Sequence, residues 1–240
     1  MRCAVFMMAL GLASAALAPS ARAQAYQCRM PERLTGSTLP RRSPDDTRRV
    51  TRIAGYTLAL SWSPEFCRGR ESQPSQQLQC SRDYGEFGFV LHGLWPEGQT
   101  ASYPQYCARI PVKVPLSVMR KTLCDMPSQQ LILHQWDKHG SCMARDPQSY
   151  FQIATTVYRA IKLPDMERLS RRPLTHGILR REFARVNPGM PAASIAIRSN
   201  PRGWLQEVRI CMEMTYRPRP CPAYVRQPRG DTPLRIWRGL

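Results

Sequence analysis

The chain has 240 residues, and 35 Lys and Arg against 17 Asp and Glu give it a formal charge of +18. Most of that charge is arginine, which pairs bidentately with phosphate, so the balance predicts salt-dependent attraction to nucleic acid or to an anionic surface. Beyond the first 18 residues no stretch is long and apolar enough to cross a bilayer as a helix, so the mature protein is expected to be soluble.

Residues 1–23 read as a signal peptide. Arg2 is a short positive n-region, and Ala4 to Ala18 is an apolar run short of the roughly 20 residues of a membrane span. Pro19 ends the run, and Ala21-Arg22-Ala23 offers small residues at the positions a signal peptidase reads. An uncleaved anchor is the weaker alternative. Cleavage after Ala23 removes Cys3 and leaves Cys28, Cys67, Cys80, Cys107, Cys124, Cys142, Cys211 and Cys221. An even set of cysteines in an exported chain predicts four disulfides. The absence of any C-x-x-C pair counts against a metal site.

Residues 24–52 are rich in Arg, Pro, Ser and Thr and predict a mobile lead-in, tied down at Cys28. Tyr56, Leu58, Leu60 and Trp62 alternate with small residues and predict a strand. Cys67 to Cys80 is a polar loop. Phe87 to His92 predicts a second strand, in which Val90 and His92 share the face opposite Phe89 and Leu91, with a sharp turn at Gly93. Pro96 to Pro115 reads as a long loop, and Ser117 to Leu123 as a helix. Ser128 can cap a helix that runs to His139, with Gly140 as its left-handed terminator. Helices are further predicted over residues 147–163 and 175–186, and strands over 194–197 and 205–212. The tail after Cys221 reads as irregular. Strands and helices mix without regular alternation, so the fold class predicted is α+β.

Three of the four histidines fall in two clusters, Phe89-Val90-Leu91-His92-Gly93-Leu94-Trp95-Pro96 and His134-Gln135-Trp136-Asp137-Lys138-His139-Gly140-Ser141-Cys142. On a helix over 128–139, His134 pairs with Lys138 and Gln135 with His139 at a spacing of four, crowding polar groups on one side of the helix end. Two imidazoles and an ammonium suffice for metal-free phosphoryl transfer. One ring takes a proton, the other gives one, and the cation steadies the phosphate charge. Zinc is disfavoured because His134 and His139, five apart on a helix, turn away from each other. Trp136 reads as a core residue, and His176 is assigned no role.

These clusters resemble the two active-site motifs of the ribonuclease T(2) family of secreted ribonucleases. F-x-x-H-G-L-W-P is matched in full by Phe89 to Pro96. H-E-W-x-K-H-G-[ST]-C is matched by His134 to Cys142 at every position except 135. The strand with Leu58, Leu60 and Trp62 fits as well, as does Leu205-x-Glu207-Val208-x-Ile210-Cys211 followed by Cys221-Pro222, so the resemblance covers about residues 54–222.

The resemblance implies a single α+β domain over residues 53–225, with a central, mainly antiparallel sheet and flanking helices, and a basic irregular tail over 226–240. It implies an endoribonuclease acting on single-stranded RNA with low base specificity and no cofactor or metal. His139 looks like the base that takes the 2′-hydroxyl proton, and His92 like the acid for the departing 5′-oxygen, although sequence alone leaves the assignment of the two open. Lys138 and His134 would stabilise the phosphate. A 2′,3′-cyclic phosphate would form and be hydrolysed to a 3′-phosphate, and DNA, lacking the nucleophile, would not react. Trp95 and Tyr103 would stack a base, and Glu97 would accept from a base amino group.

The resemblance also implies Cys107–Cys142 and Cys211–Cys221. The other four cysteines leave Cys67–Cys80 with Cys28–Cys124, or Cys80–Cys124 with Cys28–Cys67. The departure is Gln135, where the family usually carries glutamate. An amide cannot titrate, which predicts a lowered His139 pKa and slower turnover, or a relative that binds RNA without cleaving it. A cationic protein acting on anionic surfaces is the rival from outside the family. The expected setting is the bacterial periplasm or the extracellular medium, and the expected state a monomer.

Overall fold

In a computed structural model, residues 25–34, 38–39, 42–44, 46–110 and 112–239 are described. The signal-peptide expectation for residues 1–23 lies outside them.

In chain order the strands are β1 (Ala25–Cys28), β2 (Gly55–Trp62), β3 (Gly85–Phe87), β4 (Phe89–Glu97), β5 (Leu174–Thr175), β6 (Ile195–Ser199), β7 (Leu205–Met212) and β8 (Pro233–Leu234). The α-helices are α1 (Ser63–Cys67), α2 (Gln77–Cys80), α3 (Leu116–Thr122), α4 (Gln129–Lys138), α5 (Pro147–Ala160), α6 (Met166–Ser170) and α7 (His176–Val186). A four-stranded antiparallel sheet in the order β4-β2-β7-β6 forms the centre, with two-stranded pairs β1-β3 and β5-β8 beside it. The predicted α+β class and single domain hold.

Alternation decides which face of the sheet is apolar. Leu58, Leu60, Phe89, Leu91, Leu94, Val208 and Ile210 are all buried in one core with Tyr150, Phe151 and Tyr158 of α5 and Leu179 and Phe183 of α7. The two buried tyrosines spend their hydroxyls on the edge strand: Tyr150 donates to the Leu94 carbonyl at 3.1 Å and Tyr158 to that of Phe89 at 2.8 Å. Helix starts follow the sequence signals. Oxygens of Ser128, Asp146 and Thr175 accept from the backbone N–H groups of Leu131, Ser149 and Ile178. No helix among the described residues is long and apolar enough to cross a membrane.

Four expectations need correction. The second strand does not end at His92. It breaks at Gly88 and then runs from Phe89 through Gly93 to Glu97. Gly140 is not left-handed and instead opens a 3-10 turn, Gly140–Cys142. Its missing side chain serves close approach, because a Cβ there would lie 2.6 Å from Cε3 of Trp136 and 2.7 Å from Cγ of Tyr150. The lead-in is docked at its C-terminal end: Arg49 and Gln105 exchange backbone hydrogen bonds of 2.9 and 2.8 Å, and Arg42 holds Asp137 through two bonds of 3.0 and 2.6 Å. The tail carries β8 and buries Leu234 and Ile236 in the core, so apolar residues outweigh its basic composition there.

The disulfides join Cys28–Cys124, Cys67–Cys80, Cys107–Cys142 and Cys211–Cys221. Cys107–Cys142 ties the loop after β4 to the end of α4, which places the two histidine clusters on connected elements.

Candidate active site

A bulge delivers the first histidine. Along β4, Leu91 pairs with Leu60 and Gly93 with Ala59, so His92 is the extra residue between them. Leu91 and Leu94, three apart, can then both face the core. His92, with Trp95 farther along β4, projects onto the opposite face beside Glu207 and Arg209 of β7. Gly93 is required at this crossing, because a Cβ there would collide with the Gln135 amide oxygen and lie 2.5 Å from Nε1 of Trp95.

The end of α4 delivers the rest. His139 is the C-cap of the helix, with φ −116° and ψ −49°. The rings of His134 and His139 meet edge-on at 6.5 Å, although a spacing of five was expected to separate them. Trp95 stands between the histidines of the two motifs. Its ring stacks on His139 at 5.4 Å and meets the edge of His92 at 5.1 Å. Its indole N–H donates to Oε1 of Gln135 at 2.8 Å, and Gln135 is 1% exposed. Tyr103 lies tilted 6.2 Å from His139, under the Arg49 guanidinium at 4.9 Å.

Trp95 is thus engaged by His139 and also carries the Arg209 guanidinium at 4.8 Å, so it forms part of the wall that holds the histidines. Glu97 lies half-buried at the end of β4. Its burial raises the carboxyl above the ordinary value despite the opposing pull of Thr57, Arg209 and Arg219. Trp136 is core, and its N–H donates to the Val112 carbonyl at 3.0 Å.

The electrostatics of the two motif histidines differ. His139 is buried, its Nδ1 has no hydrogen-bond partner among the described residues, and its neighbours are His134, Lys138 and His92. Burial first, then the electrostatic influence of these neighbours, pushes it well below the ordinary histidine value. Burial and Lys138 lower His134 too. His92 instead has a carboxylate partner, its Nδ1 meeting Oε2 of Glu207. Lys138 lies 3.3 Å from Asp46.

Sequence reading placed Glu207 in a matched segment without giving it a role at the site, and it missed Arg209 and Asp46. A carboxylate inside the apolar run Leu205–Met212 was the available signal, since a buried acid requires a partner. Asp46 gave no signal, because its segment has no periodicity. Among the described residues no three His, Cys, Asp or Glu side chains are grouped as a metal site.

The family model described as the Ribonuclease T2 family matches residues 54–171. A protein of Haemophilus influenzae named "Probable ribonuclease" is 36% identical over 125 residues, 48% of this chain and 46% of that protein. A protein of Aeromonas hydrophila named "Ribonuclease" is 38% identical over 115 residues, 48% of each chain. The chain thus spans about half the length of these curated relatives. Among solved structures, trichomaglin, described as a novel S-like ribonuclease, superposes with a TM-score of 0.62 at 17% identity over 77% of this chain and 97% of its own. RNase NT in complex with 5′-AMP does so with a TM-score of 0.58 at 19% identity over 78% and 98%. At these identities the structural likeness is one of fold.

Proposed function

Because the chain belongs to the ribonuclease T2 family, we propose that it is a metal-independent endoribonuclease that cleaves single-stranded RNA with little base specificity. The observation that carries the reading is the pair of dissimilar histidines on either side of Trp95, one buried without a carboxylate and one partnered by Glu207. A ring held neutral by burial is suited to be the base. His139 takes the ribose 2′-hydroxyl proton, the 2′-oxygen attacks phosphorus, and the bond from phosphorus to the 5′-oxygen breaks. His92 gives its proton to that oxygen. Lys138 and His134 stabilise the charge on the phosphate oxygens. The 2′,3′-cyclic phosphate that forms is then opened by water to a 3′-phosphate. DNA has no 2′-hydroxyl and is not cut. Trp95, Tyr103 and Glu97 frame the entry for a base. Four disulfides fit work outside the reducing cytoplasm, in the periplasm or medium.

Digestion of RNA by the oxidised protein in EDTA, scanned from acid to neutral pH with His139→Ala alongside, tests this. Cleavage by the wild type and none by the variant supports it. Cleavage lost to EDTA, or retained by the variant, overturns it. One observation favours a second reading, an RNA-binding protein with weakened chemistry: Gln135 leaves His139 without a carboxylate. Salt-sensitive RNA binding with no cleavage at any pH would select it.

A further inference from the structure

His92 sits at a bulge, partly exposed, and the torsion that orients an imidazole ring is broad and roughly two-fold. The strand alone therefore does not decide which ring nitrogen faces a substrate. Glu207 supplies that decision. It lies on a central strand, is 7% exposed, and uses one carboxylate oxygen for Nδ1 of His92 and the other for Nε of Arg209 at 2.6 Å. Arg209 is fixed in turn against the Trp95 ring. Burial opposes the charge on Glu207, but the hydrogen bonds and charges of His92 and Arg209 hold its carboxyl below the ordinary value, so it is ionised at neutral pH. A carboxylate can only accept, so Nδ1 must carry hydrogen, and Nε2 is left as the nitrogen that exchanges a proton.

The geometry points to Glu207 as the positioning residue of the acid. It pins His92 so that Nε2 delivers the proton to the departing 5′-oxygen, with Arg209 as its brace. This rests on the ribonuclease reading above. His139 has no counterpart to Glu207 among the described residues, which matches a division of labour between an oriented acid and a buried base.

The test uses two esters of one nucleoside 3′-phosphate. In a dinucleoside monophosphate the leaving alkoxide needs a proton, and in the 4-nitrophenyl ester the leaving group departs without one. Glu207→Leu is expected to lower the ratio of kcat/KM for the dinucleotide over the aryl ester by at least about tenfold, within the roughly 10²–10⁴ that acid–base catalysis contributes. Glu207→Gln, which keeps the size, is expected to fall between and keeps the test open should the leucine variant not fold. In a His92→Ala background the same substitution should change the ratio no further, as for residues acting as one unit. Equal losses on both esters, or a full second loss in that background, would overturn the proposal. If the wild type cleaves neither ester, the ribonuclease reading fails. Nitrogen NMR of the His92 ring still decides this one: a single tautomer with hydrogen on Nδ1 that is lost in Glu207→Leu supports it, and an unchanged tautomer overturns it.

Discussion

The Lys138 ammonium and the Asp46 carboxylate lie 3.3 Å apart across 92 residues of sequence. Around them, residues 46–50 follow the loop after β4: Gln105 donates to the Thr47 carbonyl at 2.8 Å and Arg49 to the Tyr103 carbonyl at 2.5 Å. Burial pulls Asp46 upward, but the Ser43 N–H and Lys138 outweigh it and hold the carboxyl below the ordinary value. An anion thus already rests on the cation proposed to receive phosphate.

That contact must open if Lys138 is to pair with substrate. Asp46→Asn is expected to lower KM for RNA by roughly two- to fivefold at low salt, the scale of a partly exposed ion pair. The gain should shrink as salt screens the charges. Steady-state kinetics at two ionic strengths check this, and an unchanged KM at low salt would refute it.

The depressed His139 has a definite consequence for pH. A base with a lowered pKa stays neutral into acid solution, so the acid limb of kcat/KM against pH should lie below 6.5, the ordinary histidine value. An acid limb at or above that value would contradict it. The stability sign follows from the same depression. In the unfolded chain this histidine binds its proton near 6.5, whereas the folded protein resists it. Stability should therefore decline as pH falls below 6.5 toward the folded value.

Gln135→Glu restores a carboxylate beside His139. Its oxygen can still accept from the Trp95 indole, so the wall of the site is kept. The negative charge should raise the His139 pKa, move the acid limb upward and increase turnover by about two- to tenfold. The same pH series on the variant measures both effects, and equal or lower turnover would count against the argument.

Gly140→Ala places a methyl 2.6 Å from Trp136 and 2.7 Å from Tyr150, both buried core side chains. Overpacking of this kind costs about 1–3 kcal/mol. At roughly 2–4 °C per kcal/mol for a domain of this size, thermal unfolding should show a Tm lower by several degrees. A Tm within a degree of wild type would show that the rings can move aside.

The sequence by itself determined the elements whose periodicity is local. The alternation of Tyr56 to Trp62, the cap at Ser128 and the apolar stripe of α5 each depend on neighbours within a few residues, and each forms where expected. The two histidine clusters were legible for the same reason. Only the tertiary structure decided how they meet. The bulge that turns His92 outward exists because Leu91 and Leu94 must both reach the core, a demand set by pairing with Leu60 and Leu58 of another strand. Glu207 faces His92 because of the register of β2 and β7, and Asp46 reaches Lys138 because Arg49 pairs with Gln105. Register and docking are fixed by burial and charge between segments far apart in the chain, and a single strand of sequence carries no record of which distant residue will stand opposite.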